Sequence, residues 1–169
     1  ALAGVAVAVD DAHPELGESP QIGEFLAGHL ACAQEGHRLG AMTLLPPGSA
    51  AREEELAEAT APAIAALSRD GGQRYESLWA WSWSMLPDEP HWLLDQLAVE
   101  PDAQGRGIGG AMIRYAIDRS EADGLPLILE TAVPSNLLLY RRHGFEVFAE
   151  EDAPLGGPNV WFLRRDPGT

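Results

Sequence analysis

The sequence predicts an α/β fold (α+β in some schemes), one sheet flanked by helices in a single domain over residues 1–169. Three observations predict it. The 169 residues are 46% apolar and 22% charged, a globular composition at a length that suits one core. Short apolar runs bounded by Pro or Gly alternate with segments of helical period. No apolar run approaches the 18 or so residues that a membrane span needs, so a soluble, cytoplasmic chain without a membrane partner is expected.

Taken in order, residues 2–9 are apolar with no basic stretch before them, which reads as a strand or ordered arm. Residues 10–20 are acidic and rich in Pro and Gly, as in a loop. The apolar runs 29–34 and 37–45, separated by Glu35-Gly36 and ended by Pro46-Pro47-Gly48, predict a β-hairpin. Ser49 can cap a helix to about Leu67, with Glu53 and Glu54 at its favourable end and Pro62 kinking or dividing it. Asp70-Gly71-Gly72 closes that segment. Trp79, Trp81 and Trp83 alternate with Ala80, Ser82 and Ser84, so an extended segment would place all three indoles on one face. There they either pack in the core or line a pocket for an aromatic or cationic acceptor.

Residues 91–99, bounded by Pro90 and Pro101, read as a buried strand. Ile108, Met112, Tyr115, Ala116 and Arg119 recur at helical spacing, and Gly124 stops that helix. A second buried strand (125–131), a short helix (135–143), a strand (145–150) and a last strand (160–164) follow.

All eleven basic residues are Arg, against 26 acids, for a net charge of −15. Lysine Schiff-base chemistry is excluded. The negative field disfavours nucleic acid and favours a small-molecule amine as partner. The deficit is uneven: residues 1–60 hold 2 Arg against 10 acids, residues 101–169 hold 7 against 10. An anionic ligand therefore sits better on the C-terminal half. The lone Cys32 excludes an internal disulfide and is expected to be buried and inert. The five His residues show no metal-ligand spacing, so no metal is expected, and His91 reads as packed or exposed. Sequence leaves monomer or homodimer open.

The most informative stretch runs from Leu97, Ala98 and Val99 through Gln104, Gly105, Arg106 and Gly107 to Ile108, Gly109 and Gly110: strand, glycine loop, helix. Glycines let successive N–H groups converge, and the helix start adds its positive dipole end, so a phosphate or pyrophosphate is the natural guest. Arg106 either adds its charge or lies in solvent. Gly105, Gly107 and Gly110 also spell a dinucleotide G-x-G-x-x-G with Glu130 twenty residues beyond Gly110. Five residues between strand and first glycine, and only 59 after Gly110, weigh against a dehydrogenase.

Read with Gln104, Gly107 and Gly109 as Q-x-x-G-x-G, the loop resembles the coenzyme A pyrophosphate loop of the GNAT-type N-acetyltransferases. Upstream, Pro87-Asp88-Glu89-Pro90-His91-Trp92-Leu93-Leu94 is similar to the strand entry of the subgroup that includes puromycin N-acetyltransferase. Downstream, Leu129-Glu130-Thr131-Ala132, Asn136, Tyr140 and Gly144-Phe145 match that subgroup's L-E-T-[SA]-x-x-x-N-x-x-x-Y-x-x-x-G-F, and Gly157-Pro158 with Trp161 match its ending. The chain departs from the pattern before His29, where residues 1–28 stand as a divergent or truncated segment, and at Met85-Leu86, where the subgroup often has a histidine.

The resemblance implies a mixed, mostly antiparallel sheet with strands splayed at the acyl-coenzyme A site, and acetyl-coenzyme A as acyl donor to an amine. It implies backbone contacts to the donor around Leu97, Ala98 and Val99, a loop grip from Gln104 to Gly110, and Tyr140 facing the coenzyme sulfur. Asn136 is then either a coenzyme contact or a helix-start residue. The base is open: Asp95 alternates with Leu97 and Val99 on one strand, and Glu130 ends the neighbouring one. Either carboxylate instead bonds a nearby Arg, or a water chain serves. A non-catalytic acyl-coenzyme A module with an unfinished acceptor site is the alternative reading.

Overall fold

The computed structural model describes residues 21–26, 29–34 and 37–169, with side chains from residue 39 onward except 50–52. Seven strands form one sheet: β1 (Gln21–Leu26), β2 (His29–Gln34), β3 (His37–Leu45), β4 (Trp92–Val99), β5 (Leu127–Thr131), β6 (Glu146–Asp152) and β7 (Asn159–Arg165). Their order is β1-β2-β3-β4-β5-β7-β6. Every neighbouring pair is antiparallel except β4 and β5. A parallel pair needs a crossover, and helix α3 (Ile108–Asp123) supplies it. The other helices are α1 (Ala50–Leu67), α2 (Gln73–Ser84) and α4 (Asn136–Arg142).

Alternation along the strands sorts the helices onto two faces. Leu94, Leu127, Leu129 and Leu163 join Ile108, Met112, Ile113 and Ala116 of α3 and Tyr140 of α4 in the main core. Their strand neighbours Leu93 and Ile128 meet Trp83 and Leu86, and Phe162 meets Trp81 and Met85, on the opposite face. The α3 periodicity read from sequence is thus the core stripe, and Gly124, at φ 65°, ends the helix.

The β2–β3 hairpin forms as expected; its Glu35-Gly36 turn, the segments 2–9 and 10–20, and the Cys32 side chain lie outside the described residues. Strand β1 was not predicted. Helix α1 spans the expected range undivided, with Pro62 inside it; one proline removes one backbone bond, and the rest of the 18-residue ladder holds the helix together. Ser49 does not cap α1 with its side chain, because its Oγ donates to the Pro46 carbonyl at 2.6 Å.

The largest correction concerns Trp79, Trp81 and Trp83. They lie in helix α2, so they do not share a face. Trp79 and Trp83, four apart, sit 5.7 Å from each other, Trp83 packs on Leu93 and Ile128, and Trp81 packs edge-on against Phe162 at 5.5 Å. Helix α2 begins where Asp70 accepts from the N–H groups of Gly72 (3.2 Å) and Arg74 (3.1 Å). The Asp-Gly-Gly read as the end of one helix is also the start of the next. Among the described residues, no helix is long and apolar enough to cross a membrane.

Candidate active site

The parallel ladder between β4 and β5 has three pairs, Trp92 with Leu127, Leu93 with Ile128 and Leu94 with Leu129, and then stops. Beyond Leu94, β4 continues to pair with β3 while its other edge stands open. The strands part at the end where the glycine loop begins. Just past the last shared pair, Leu94 opposes Leu44 and Gln96 opposes Thr43, so Asp95 is an extra residue in a bulge. The bulge resets alternation: Leu94 and Leu97 both pack toward α3, and Asp95 is exposed. The strand geometry that would have set Asp95 beside Leu97 and Val99 is therefore broken at Asp95 itself.

After β4, a short 3-10 turn (Pro101–Ala103) leads into the loop. Gln104 donates from Nε2 to the Val99 carbonyl at 3.1 Å and ties the loop back to the strand end. Gly105 and Gly107 have φ of 76° and 83°, where a side chain is strained, and a Cβ on either would point into open space. Gly107 is the N-cap of α3, and its carbonyl takes the first helical bond from Ala111. The N–H groups of Ile108, Gly109 and Gly110 precede that bond and have no helical acceptor.

These groups border a cavity of about 690 Å³ lined by Leu97, Ala98, Val99, Gln104, Gly105, Gly107, Ile108, Gly109, Gly110, Asn136 and Tyr140. Of the donor residues expected from sequence, Arg106 alone does not line it. Arg142 does, and was missed. A Cβ on Gly110 would lie 3.5 Å from an Arg114 Nη and 3.6 Å from His143 Nε2, so two more basic side chains stand beside the helix start. The His143 Nδ1 carries a proton, since its partner at 3.0 Å is the Leu139 carbonyl. One exposed helix terminus contributes only about 0.3–1 kcal/mol to an anion; three amides without a helical acceptor, two left-handed glycines and the nearby guanidiniums of Arg114 and Arg142 acting together suit a diphosphate.

Tyr140 forms the inner wall. It is buried at 6% exposure, with its ring edge-on to Phe145 at 5.9 Å. Burial pushes its phenol pKa up. Asn136 is both a cavity residue and the first residue of α4, and its Nδ2 reaches Thr131 Oγ1 at 3.4 Å.

Glu130 lies one residue past the last β4–β5 pair, on the face of α2. Its partner is no arginine: Ser82 Oγ donates to Oε2 at 2.5 Å. Burial raises the Glu130 pKa, and the Ser82 bond partly offsets the rise.

Residues 75–147 match the profile of the acetyltransferase (GNAT) domain. The whole arrangement is similar to solved structures of low identity. A histone acetyltransferase HPA2 and related acetyltransferase from Corynebacterium glutamicum shares 18% identity at TM-score 0.57, with 92% of this chain and 68% of that chain covered. A Drosophila melanogaster polyamine N-acetyltransferase, described as forming N-acetylagmatine, shares 16% at TM-score 0.54 over 82% and 74%. The NatC complex bound to Gag peptide and coenzyme A shares 16% at TM-score 0.53 over 82% and 70%. Together the profile match and the shared fold support the GNAT acetyltransferase family.

A GNAT fold explains why the donor-side residues meet while the others scatter. Trp79 faces α1, Trp83 borders a cleft with Pro46, Pro47 and His91 at the other end of β4, and Trp81 is packed. Among the described residues no group of three or more His, Cys, Asp or Glu side chains is placed to hold a metal. Sequence reading missed Ser82 because its role depends on α2 being helical.

Proposed function

We propose that the protein is an N-acetyltransferase that moves an acetyl or other small acyl group from acetyl-coenzyme A to an amine of a small molecule or peptide, by direct attack with both bound. The cavity at the β4–β5 splay carries this reading, because it joins an open strand edge, converging amides and a buried phenol. Acetyl-coenzyme A supplies the thioester. The amides of Ile108, Gly109 and Gly110, with Arg142, hold its diphosphate. N–H groups on the open edge of β4 near Ala98 and Val99 stabilise the carbonyl oxygen as it gains charge.

Tyr140 donates a hydrogen bond to the departing sulfur. Full proton transfer from a reference phenol (pKa near 10) to a thiolate (near 8.5) is uphill by about 2 kcal/mol, and the raised Tyr140 pKa adds to that. Hydrogen bonding is therefore its role. Glu130, on the α2 side of the splay, accepts the proton from the amine, and its raised pKa strengthens it as a base. Asp95 is exposed and follows Glu130 as a candidate. The motifs from Pro87 to Phe145 are what supports reading the chain as similar to the puromycin N-acetyltransferase subgroup.

Calorimetric titration with acetyl-coenzyme A tests the donor site. Saturable binding is expected, and Gly107→Val should abolish it, since a β-branched residue is strained at φ 83° and its methyls would enter the cavity. Equal affinity in the variant refutes the loop assignment. Binding without turnover on any amine would leave only a non-catalytic acyl-coenzyme A module.

A further inference from the structure

The donor site occupies the α3–α4 side of the splay and leaves a second concavity unexplained. Helices α1 and α2 enclose a groove of about 300 Å³. It is lined by Ala57, Ala61, Ile64, Ala80, Tyr75 and Trp79 together with the exposed residues Glu54, Glu58 and Glu76. Among the described residues none of these three carboxylates is paired with an arginine. Two aromatic rings and an aliphatic lining beside three carboxylates complement an organic cation on an apolar frame.

The groove shares helix α2 with Ser82, the partner of Glu130. Arg74, at the start of α2, donates to the Leu155 carbonyl in the turn between β6 and β7 at 3.3 Å. That turn lies at the end of the sheet toward which β4 and β5 point, since Trp161 early in β7 pairs with Thr131 at the end of β5. Farther along α2, Ser82 reaches Glu130. At about 1.5 Å per residue, Trp79 and Tyr75 stand roughly 5–10 Å before Ser82 along the helix axis. The reacting nitrogen must lose its proton, and three carboxylates would hold an ammonium charged. The groove is therefore a seat for a different nitrogen of the same acceptor.

We propose that the α1–α2 groove binds the second, charged nitrogen of a diamine-type acceptor, which makes Tyr75, Trp79, Glu54, Glu58 and Glu76 its specificity residues. The inference rests on the N-acetyltransferase reading for the word acceptor; the binding site itself does not. Hexyltrimethylammonium, a cation on an alkyl chain that cannot be acetylated, is the probe. It should quench tryptophan fluorescence, compete with a diamine and not with acetyl-coenzyme A.

The triple variant Glu54→Gln, Glu58→Gln, Glu76→Gln should weaken the probe at least tenfold. It should also raise KM for diamines with kcat and acetyl-coenzyme A affinity kept, and leave monoamines unaffected. Removing as many charges elsewhere, by Glu146→Gln, Glu150→Gln and Glu151→Gln on β6, should leave probe affinity unchanged. Equal probe affinity in the groove variant and wild type overturns the proposal, as does binding of a basic peptide with none of the probe. Carboxylate-dependent probe binding without turnover on any amine overturns the transferase reading and leaves the cation site standing.

Discussion

The two faces of the sheet are built to different standards. Helix α3 buries Ile108, Met112, Ile113, Ala116 and Ser120, whereas α2, of 12 residues, has no buried residue. The glycine loop thus hangs from a helix whose side chains interlock with β3, β4 and β5, and its amides are held in place before any ligand arrives. The opposite face rests on half-exposed helices joined to the sheet through a few contacts such as Trp81 on Phe162 and Ser82 on Glu130. A rigid face suits a ligand of fixed shape. A lightly anchored face can change its residues without unfolding the protein.

The contrast is open to attack from either side. On the donor face, Tyr140→Phe should lower kcat by about 10–10²-fold, the loss of one hydrogen bond to a charged group, with acetyl-coenzyme A affinity nearly kept; an unchanged kcat removes the hydroxyl from the reaction. Tight packing on the same face predicts a stability effect at Gly40, where a Cβ would sit 2.8 Å from the Ala98 carbonyl oxygen and 3.1 Å from Met112 Sδ. Gly40→Ala should destabilise by about 1–3 kcal/mol, visible in Tm; an unshifted Tm would mean that β3 and β4 give way easily there.

On the acceptor face the expected effect is smaller and depends on pH. A base acts when ionised, burial raises the Glu130 pKa, and the Ser82 bond lowers it. Ser82→Ala should therefore move the acid limb of kcat/KM to higher pH, with the high-pH plateau kept. A limb that stays put, or moves down, excludes Glu130 as the base or Ser82 as its partner.

Legibility follows the same division. The α3 stripe, the capping Gly124, the β2–β3 hairpin and the glycine loop are written in local spacing, and ten of the eleven expected donor residues line one cavity. What spacing does not carry is long-range. Trp79-Ala80-Trp81-Ser82-Trp83 has the period of a strand, yet it lies in a helix with tryptophans on both flanks, one against Phe162 and one against α1. Asp70 ahead of Gly71-Gly72 was the available signal, since a carboxylate there accepts from the first free N–H groups of a following helix. Asp95 was misplaced because a bulge leaves no mark in a single sequence. Arg142 and Ser82 come to their sites through tertiary packing alone.

The parting of β4 from β5 after three pairs leaves the sheet with an unfinished seam in its middle. Whatever lies in that seam stands in for the missing rungs, so an occupant is in effect an eighth strand. A compound that binds there and not to the unfolded chain adds RT ln(1 + [L]/Kd) to stability. The melting temperature of this protein is thereby a gauge of how much of its seam is filled.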